Sequence, residues 1–476
     1  MENDREMTST KPSSCSKPPG KRAILLGVDE HSVGKARAGG YEHVSAYAFA
    51  GQSEFPGVTT YLCTSETDMS AALTASFKDD RDVAAMIDAD VIDCLGYEKE
   101  RAQLTLLLER QLGIFGNDVL DALQAPLHIA QNASLLLDAP EAGTFQYGST
   151  PVLSIGAGPS LANHYEDLRR LNGKVIVVAV DSALERLQDE GVTVHFCTPV
   201  ERVFQINRLF TRDQDSTIFL GMPLVCPDVV RRFKRHAFSP NHDILFDWAG
   251  AGKERYPNGM GTGTMSVFRA LGMTTGPVYL VGHDLAFTPS QSHAAGLASI
   301  CTEPRTGYFL PANAGGLVES CDIWDRFRRD IGQFIGTRKM VYNVAAHDTM
   351  GAVIPNTVPG PLPQPGTLPD APPVILNPRI PGRYAAFQER AKRVPRDARM
   401  LARRAREAST GADISMRSLV RSDNWQMFSY VWRSVYAHMY FEGKTGRKET
   451  VREWFAEASE NIVNTYDQAW RDIGNA

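Results

Sequence analysis

The sequence predicts an α/β fold with a doubly wound, mostly parallel, Rossmann-like central sheet. Two observations carry that expectation: short apolar runs alternating with helical or loop segments, and a glycine turn joining the first central strand to a helix. Both meet in residues 151–183, PVLSIGAGPSLANHYEDLRRLNGKVIVVAVDSA. Val152, Leu153, Ser154 and Ile155 form a strand-length run, and Gly156, Ala157, Gly158, Pro159 and Ser160 turn the chain tightly. Leu161, Leu168 and Leu171 then repeat at helical spacing, and Val175 to Val180 is a second, wholly apolar strand. A glycine turn between a strand end and a helix start exposes backbone N–H groups to an anion. Asp181 follows the second strand, where open α/β sheets bind ligands. The arrangement points to a nucleotide or nucleotide-sugar site, or to a tight connection with no ligand. GAGPSL is neither GxGxxG nor a Walker loop, because no Lys-Ser/Thr follows the glycines.

The other elements follow in order. AILLGV (23–28), VSAYAF (44–49) and VTTYLC (58–63) read as strands of a small N-terminal α/β module. Leu104 to Leu137 reads as helical with an interruption near Pro126. The central domain continues through VTVHFCTPVE (192–201), TIFLGM (217–222), DILFDW (243–248) and PVYLVGHDL (277–285), each read as a strand. GMGTGTMSVFRALG (259–272) reads as a loop feeding a helix capped by its final glycine. Ten of the 28 prolines lie between Pro355 and Pro381, which excludes regular helix and central strand and leaves an extended linker or a surface strap. The expected division is a disordered tail over 1–21, the N-terminal module with connecting helices over 22–137, the nucleotide-binding domain over 138–354, the Pro-rich linker over 355–382 and a helical region over 383–476. Arg390, Lys392, Arg393, Arg396, Arg399, Arg403, Arg404 and Arg406 make that last region basic, as a solvated or acid-paired face or as a docking surface.

Composition bounds the function. The net charge of −5 gives no general case for nucleic-acid binding, and no apolar run reaches membrane-spanning length. The first residues are polar, without an apolar signal core, and the seven cysteines are scattered and contain no CxxC. A reduced cytoplasmic protein without a zinc site is the expectation.

Four segments in order resemble the motility-associated factor (Maf) flagellin glycosyltransferases, whose domain is shared with an archaeal 6-hydroxymethyl-dihydropterin diphosphokinase (MptE-like). They are PVLSIGAGPSL (151–161), GKVIVVAVDSALERLQDEGVTVHF (173–196), GPVYLVGHDLAFTPSQSHAAG (276–296) and VYNVAAHDTMGAVIPNT (341–357). The resemblance departs at His283, where the family's Gln precedes the aspartate, and at HFCTPVER, where Glu201 is the nearest carboxylate. GAGPSL and the later TGT…VYLVGHD order are also similar, more weakly, to bacterial sialyltransferases that use a CMP-activated sugar. Together these resemblances imply a sialyltransferase-like fold and transfer of a nonulosonic acid, of pseudaminic or legionaminic type, from a CMP-sugar donor to flagellin Ser/Thr or a related surface acceptor. The shared domain also implies an alternative, an ATP-dependent pterin diphosphokinase. A non-catalytic binding protein on the same fold is a third reading. The N-terminal module and helical C-terminal region favour the transferase, since a kinase of a small pterin needs no such acceptor-binding additions.

The resemblance assigns roles. Gly156, Gly158, Pro159 and Ser160 would meet the nucleotide phosphate, or serve turn geometry alone. Asp181 would bind a ribose hydroxyl or the base, or cap the helix that follows, and Glu201 stands near it in sequence order as a second nucleotide-binding carboxylate. Gly261, Thr262, Gly263 and Thr264 would hold the donor carboxylate, and Asn343 would orient substrate or close a turn. His293, Asp284 and His283 are the catalytic candidates, an imidazole near neutral pKa suiting removal of a proton from a hydroxyl. In the kinase alternative Asp284 would ligate Mg²⁺ beside a diphosphate.

Overall fold

A computed structural model describes residues 22–40, 43–49, 52, 59–63, 90–94, 97, 100, 119–240, 244–250, 259, 261–288, 292–294, 297, 305, 307–347, 351–409, 424, 427–428, 431 and 456–460. The expected tail over 1–21 lies outside these residues. The chain divides into two units, residues 1–118 with 399–460, and residues 119–398 with 461–476.

The first unit contains four parallel strands, β1 (Arg22–Leu26), β2 (His43–Ala48), β3 (Thr59–Leu62) and β4 (Asp90–Asp93), in the order β3-β2-β1-β4. Helix α1 (Glu30–Ala38) follows β1. Asp29 caps it by accepting from Ser32 N–H at 2.6 Å, while the Ser32 hydroxyl accepts from Asp29 N–H at 3.1 Å.

The second unit opens with helix α2 (Val119–Leu136), which runs through Pro126 instead of breaking near it. Its sheet comprises β5 (Val152–Ile155), β6 (Ile176–Ala179), β7 (Phe196–Cys197), β8 (Gln214–Gly221), β9 (Phe233–Phe238), β10 (Val278–Val281), β13 (Val341–Asn343) and β14 (Val358–Pro359). All eight are parallel, in the order β14-β13-β10-β5-β6-β7-β8-β9. The α/β, mostly parallel architecture is therefore as the sequence predicts. An antiparallel hairpin, β11 (Tyr308–Pro311) and β12 (Leu317–Ser320), sits between β10 and β13 in the chain.

The wholly apolar strands are explained by cover on both faces. Side chains alternate across a strand, and here Leu153, Ile155, Val177, Ala179 and Val281 enter one core cluster while Val152, Ile176, Val178, Val278 and Leu280 enter the other. Helices α3 (Tyr165–Arg170), α4 (Asp181–Asp189) and α5 (Pro227–Arg232) pack their apolar residues into the first cluster. A short helix, α6 (Ile244–Ala249), precedes α7 (Thr262–Met273), and α7 covers the second face together with α8 (Asp322–Ile335). Each fully buried Val, Leu or Ile contributes about 1.5–3 kcal/mol relative to exposure.

Two further sequence expectations are corrected. The described part of the run read as a strand over 243–248 belongs to α6, since a short apolar run has no period that separates strand from buried helix. The strand in that region is β9, FKRHAF, whose exposed Lys234 and half-buried Arg235 mask the pattern because it lies at the sheet edge. Gly272 does not cap α7; it lies inside the helix, which ends at Met273.

The proline-rich segment is a strap rather than a free linker. Tyr342 and Asn343 pair with Val358 and Pro359. Further along, Ala371 N–H donates to Gly173 O at 2.7 Å, Ile380 N–H donates to Asp138 O at 2.7 Å, and Arg379 donates to Ser134 O at 2.6 Å. The basic stretch divides between α9 (Arg383–Ala391) and α10 (Val394–Ser409), and two of its cations pair with acids, Lys392 with Glu389 at 2.7 Å and Arg396 with Asp397 at 3.0 Å. Among the described residues, no helix is long and apolar enough to cross a membrane.

A Cβ at Gly272 would meet nothing within 4 Å. Gly272→Ala is expected to stabilise the protein by about 0.5–1 kcal/mol, the usual cost of glycine inside a helix. A higher urea midpoint with an unchanged slope is the confirming result.

Candidate functional site

The strand order places the site. From β5 the chain moves outward through β6 to β9, then returns to add β10 on the opposite side of β5. Such a reversal opens a crevice at the carboxyl ends of the two strands. The registers align those ends, with Ile155 opposite both Val281 and Ala179. The turns after β5, β6 and β10 therefore emerge side by side. They line a cavity of about 250 Å³, completed by Gly261–Gly263 at the start of α7, Glu201, Ser292, His293, and the α8 side chains Ile323, Trp324 and Phe327. A larger groove of about 510 Å³ lies between Asn163–Arg170 and the proline strap and contains none of the sequence-predicted site residues.

The two glycine turns interlock. Gly156 N–H donates to Val281 O and Gly158 N–H to Gly282 O, both at 2.8 Å. Ser160 N–H donates to Asp284 Oδ2 at 2.9 Å. These three amides are engaged within the protein. A Cβ at position 158 would collide with the Asp284 carboxylate, and one at 156 would lie 2.5 Å from Gly282 O. Glycine is thus required here for close approach of two backbone turns. At the cavity wall formed by α7, the first-turn N–H groups of Thr262 and Gly263 have no intrahelical acceptor. The hydroxyls nearby are committed: Thr262 donates to Thr198 O at 2.6 Å, and Thr264 donates to Gly261 O at 2.7 Å.

The turn after β10 is clamped from several directions. Ala352 N–H donates to Asp284 O at 2.7 Å, and the Ser320 hydroxyl donates to Leu285 O at 2.7 Å. Leu285 has φ +48°, an uncommon backbone for leucine that persists only where surrounding contacts hold it. His293 is fixed by Ala294 N–H donating to Ala157 O at 2.9 Å and by its own Nδ1 lying 3.0 Å from the Ser292 hydroxyl.

Burial sets the charge states. Desolvation lowers the His283 pKa to about 4, with Ser154 acting in the opposite direction, and it also lowers that of His293. Both rings are neutral at pH 7. The Asp181 carboxyl is pushed up to about 7, first by burial and then by the neighbouring Glu201 charge, against the lowering effect of Ser182 N–H, which donates to Asp181 Oδ1 at 2.7 Å. One wall therefore carries a carboxyl poised near neutrality, and another carries two neutral imidazoles.

Of the sequence-predicted residues, Gly156, Gly158, Asp181, Glu201, Gly261, Thr262, Gly263, His283, Asp284 and His293 line this cavity. Pro159, Ser160 and Thr264 lie directly behind the lining, all buried. Asn343 is buried in β13 opposite Leu280, apart from the lining. The sequence reading missed Ser154 and Ser266, which stand behind His283, and the apolar wall of α8. A serine in the otherwise apolar VLSI strand was the available signal for the first. For α8 the available signal was the DIWDRF spacing, although it does not reveal which crevice the helix covers. Among the described residues no group of three or more His, Cys, Asp or Glu side chains could hold a metal ion. Asp284, the Mg²⁺ candidate, accepts from Ser160 N–H through Oδ2.

Residues 128–290 match the family model described as 6-hydroxymethylpterin diphosphokinase MptE-like. The match spans β5 to β10 and includes His283 and Asp284, while His293 and α8 lie beyond it. The fold is also similar to the structure of a MAf glycosyltransferase from Magnetospirillum magneticum AMB-1, with a TM-score of 0.61 and 15% identity over 95% of this chain and 80% of that one. No curated protein sequence matches.

The Asp181 shift has a stability consequence. Its folded pKa, about 7, exceeds the ordinary 3.8, so the folded state binds the extra proton between these values and the group's contribution is lost as pH rises through about 7. Asp181→Asn is expected to flatten the decline in unfolding free energy between pH 4 and 7. Parallel urea titrations of the two proteins across that range check the sign.

Proposed function

We propose that this protein is a glycosyltransferase that moves a CMP-activated nonulosonic acid, of pseudaminic or legionaminic type, onto a flagellin Ser/Thr hydroxyl or a related surface acceptor in the cytoplasm. The observation that carries this proposal is one cavity in which the open N-terminus of α7 and a neutral, backbone-anchored His293 face each other's space. A helix N-terminus favours an anion, here the phosphate of the departing nucleotide or the sugar carboxylate. A neutral imidazole accepts the proton of the attacking hydroxyl. In the reaction the anomeric C–O bond to the phosphate breaks and CMP leaves. The acceptor oxygen bonds to the anomeric carbon, and its proton passes to His293. Asp181 and Glu201 supply polar contacts for the ribose or base, and Ile323, Trp324 and Phe327 shield the reacting centre from water. The similarity in fold to a MAf glycosyltransferase supports the same assignment.

The MptE-like match favours a second activity, ATP-dependent 6-hydroxymethyl-7,8-dihydropterin diphosphokinase. The charge of the cavity weighs against it. Its described lining includes Asp181, Glu201 and Asp284 and no Lys or Arg, a poor setting for a triphosphate and a better one for the fewer charges of a CMP-sugar.

Calorimetry with CMP, CDP and Mg²⁺–ATP is expected to rank the cytidine nucleotides first. His293→Ala is expected to reduce transfer by about 10²–10⁴-fold with little change in donor affinity, the usual contribution of a positioned base. Tight Mg²⁺–ATP binding with none of CMP would reassign the protein to the kinase. Nucleotide binding without turnover of either substrate pair would leave a binding protein on the same fold.

A further inference from the structure

Behind the cavity, three buried side chains form a continuous hydrogen-bonded chain. His283 Nε2 lies 3.0 Å from Ser154 Oγ, Ser154 Oγ lies 2.5 Å from Ser266 Oγ, and Ser266 Oγ lies 3.3 Å from Gly263 O. Ser154 belongs to β5 and Ser266 to α7, which covers the face of β5 that Ser154 occupies. The other ring nitrogen, Nδ1, faces the opposite way. Cβ atoms at Gly156 and Gly263 would lie 3.2 Å and 3.9 Å from it, and both glycines line the cavity.

The last link of the chain sets the direction of its hydrogens. A carbonyl oxygen only accepts, so the Ser266 hydroxyl donates to Gly263 O, the common i−3 bond of a helical serine. Ser266 then offers a lone pair to Ser154, whose hydroxyl donates to it. Ser154 has only lone pairs left for the ring, so Nε2 carries the hydrogen. We propose that Ser154 and Ser266 are positioning residues that hold His283 in its Nε2–H tautomer and so present the Nδ1 lone pair to the cavity as an acceptor for a ligand hydroxyl. The ligand chemistry selected is an alcohol, because a lone pair attracts an O–H and repels an ionised oxygen. That use of the lone pair rests on the reading of the cavity as a sugar-transfer site; the tautomer itself does not.

The test is long-range ¹H–¹⁵N correlation on the full chain with ¹⁵N-labelled histidine at pH 7, the His283 signals being assigned by their loss in His283→Gln. The wild-type protein is expected to show a protonated Nε2 and an unprotonated Nδ1. In Ser266→Ala the Ser154 hydroxyl loses its acceptor and turns to donate to Nε2, so the tautomer is expected to invert. Ser154→Thr keeps the hydroxyl and is expected to keep the wild-type pattern. A protonated Nδ1 in the wild type overturns the proposal, as does a well-folded Ser266→Ala that retains Nε2–H. If Ser266→Ala does not fold, the wild-type and Ser154→Thr spectra decide. In a transfer assay with a CMP-nonulosonate, Ser266→Ala is expected to lower kcat roughly tenfold with donor KM unchanged, the scale of one lost hydrogen bond. A wild-type Nε2–H signal with no transfer from any CMP-sugar would refute the function and leave the positioning role standing.

Discussion

The interlock of the turns after β5 and β10 is the constraint on which the rest of the site depends. Gly158 N–H is bonded to Gly282 O, and Ser160 N–H is bonded to Asp284, so neither turn holds its shape without the other. The two glycines leave no side chain between the backbones. Because the strands neighbour each other in the sheet while their connections run in opposite directions, this contact forms the floor of the crevice. Asp284 is held there by its partner turn, and His293 is tied through Ala294 to the same segment at Ala157. One contact therefore places residues separated by well over a hundred positions in the chain.

The same packing determines the electrostatics. Two histidines are kept neutral because burial penalises the cation, and Asp181 holds its proton up to about pH 7 because burial and Glu201 both penalise the anion. The proposed transfer step needs a neutral imidazole to take the hydroxyl proton, and desolvation keeps the His293 ring neutral. Polar groups in such a setting need partners. Ser154 and Ser266 meet that need for His283.

Much of this was legible in the sequence, for physical reasons that can be named. A parallel strand covered on both faces must be apolar throughout, so β5, β6 and β10 announced themselves. The turn residues that end those strands were legible with them. What escaped was of two kinds. Edge strand β9 carries Lys234 and Arg235 and lacks the apolar signature, while 243–248 has an apolar signature that helix and strand share. The long-range partners were also hidden, because no local pattern states that Trp324 and Phe327 will close a cavity begun at Gly156. The purpose of the glycines was only half legible. They read as room for a ligand or as turn geometry alone, and in the structure each leaves room for the neighbouring turn.

The ends of the central sheet have a consequence of their own. An open parallel sheet exposes two rows of unpaired backbone groups, each a template for addition of a foreign strand. At one end the strap supplies β14, a strand of two residues whose second is Pro359, which has no N–H to offer a newcomer. At the other end β9 presents Lys234, paired with Asp215 at 2.9 Å on β8, together with Arg235. One border is thus closed by brevity and proline, the other by charge and by Phe238 N–H donating to Pro140 O at 2.8 Å. Both borders of the sheet thus lack a long, flat, unpaired edge of the kind that templates a foreign strand.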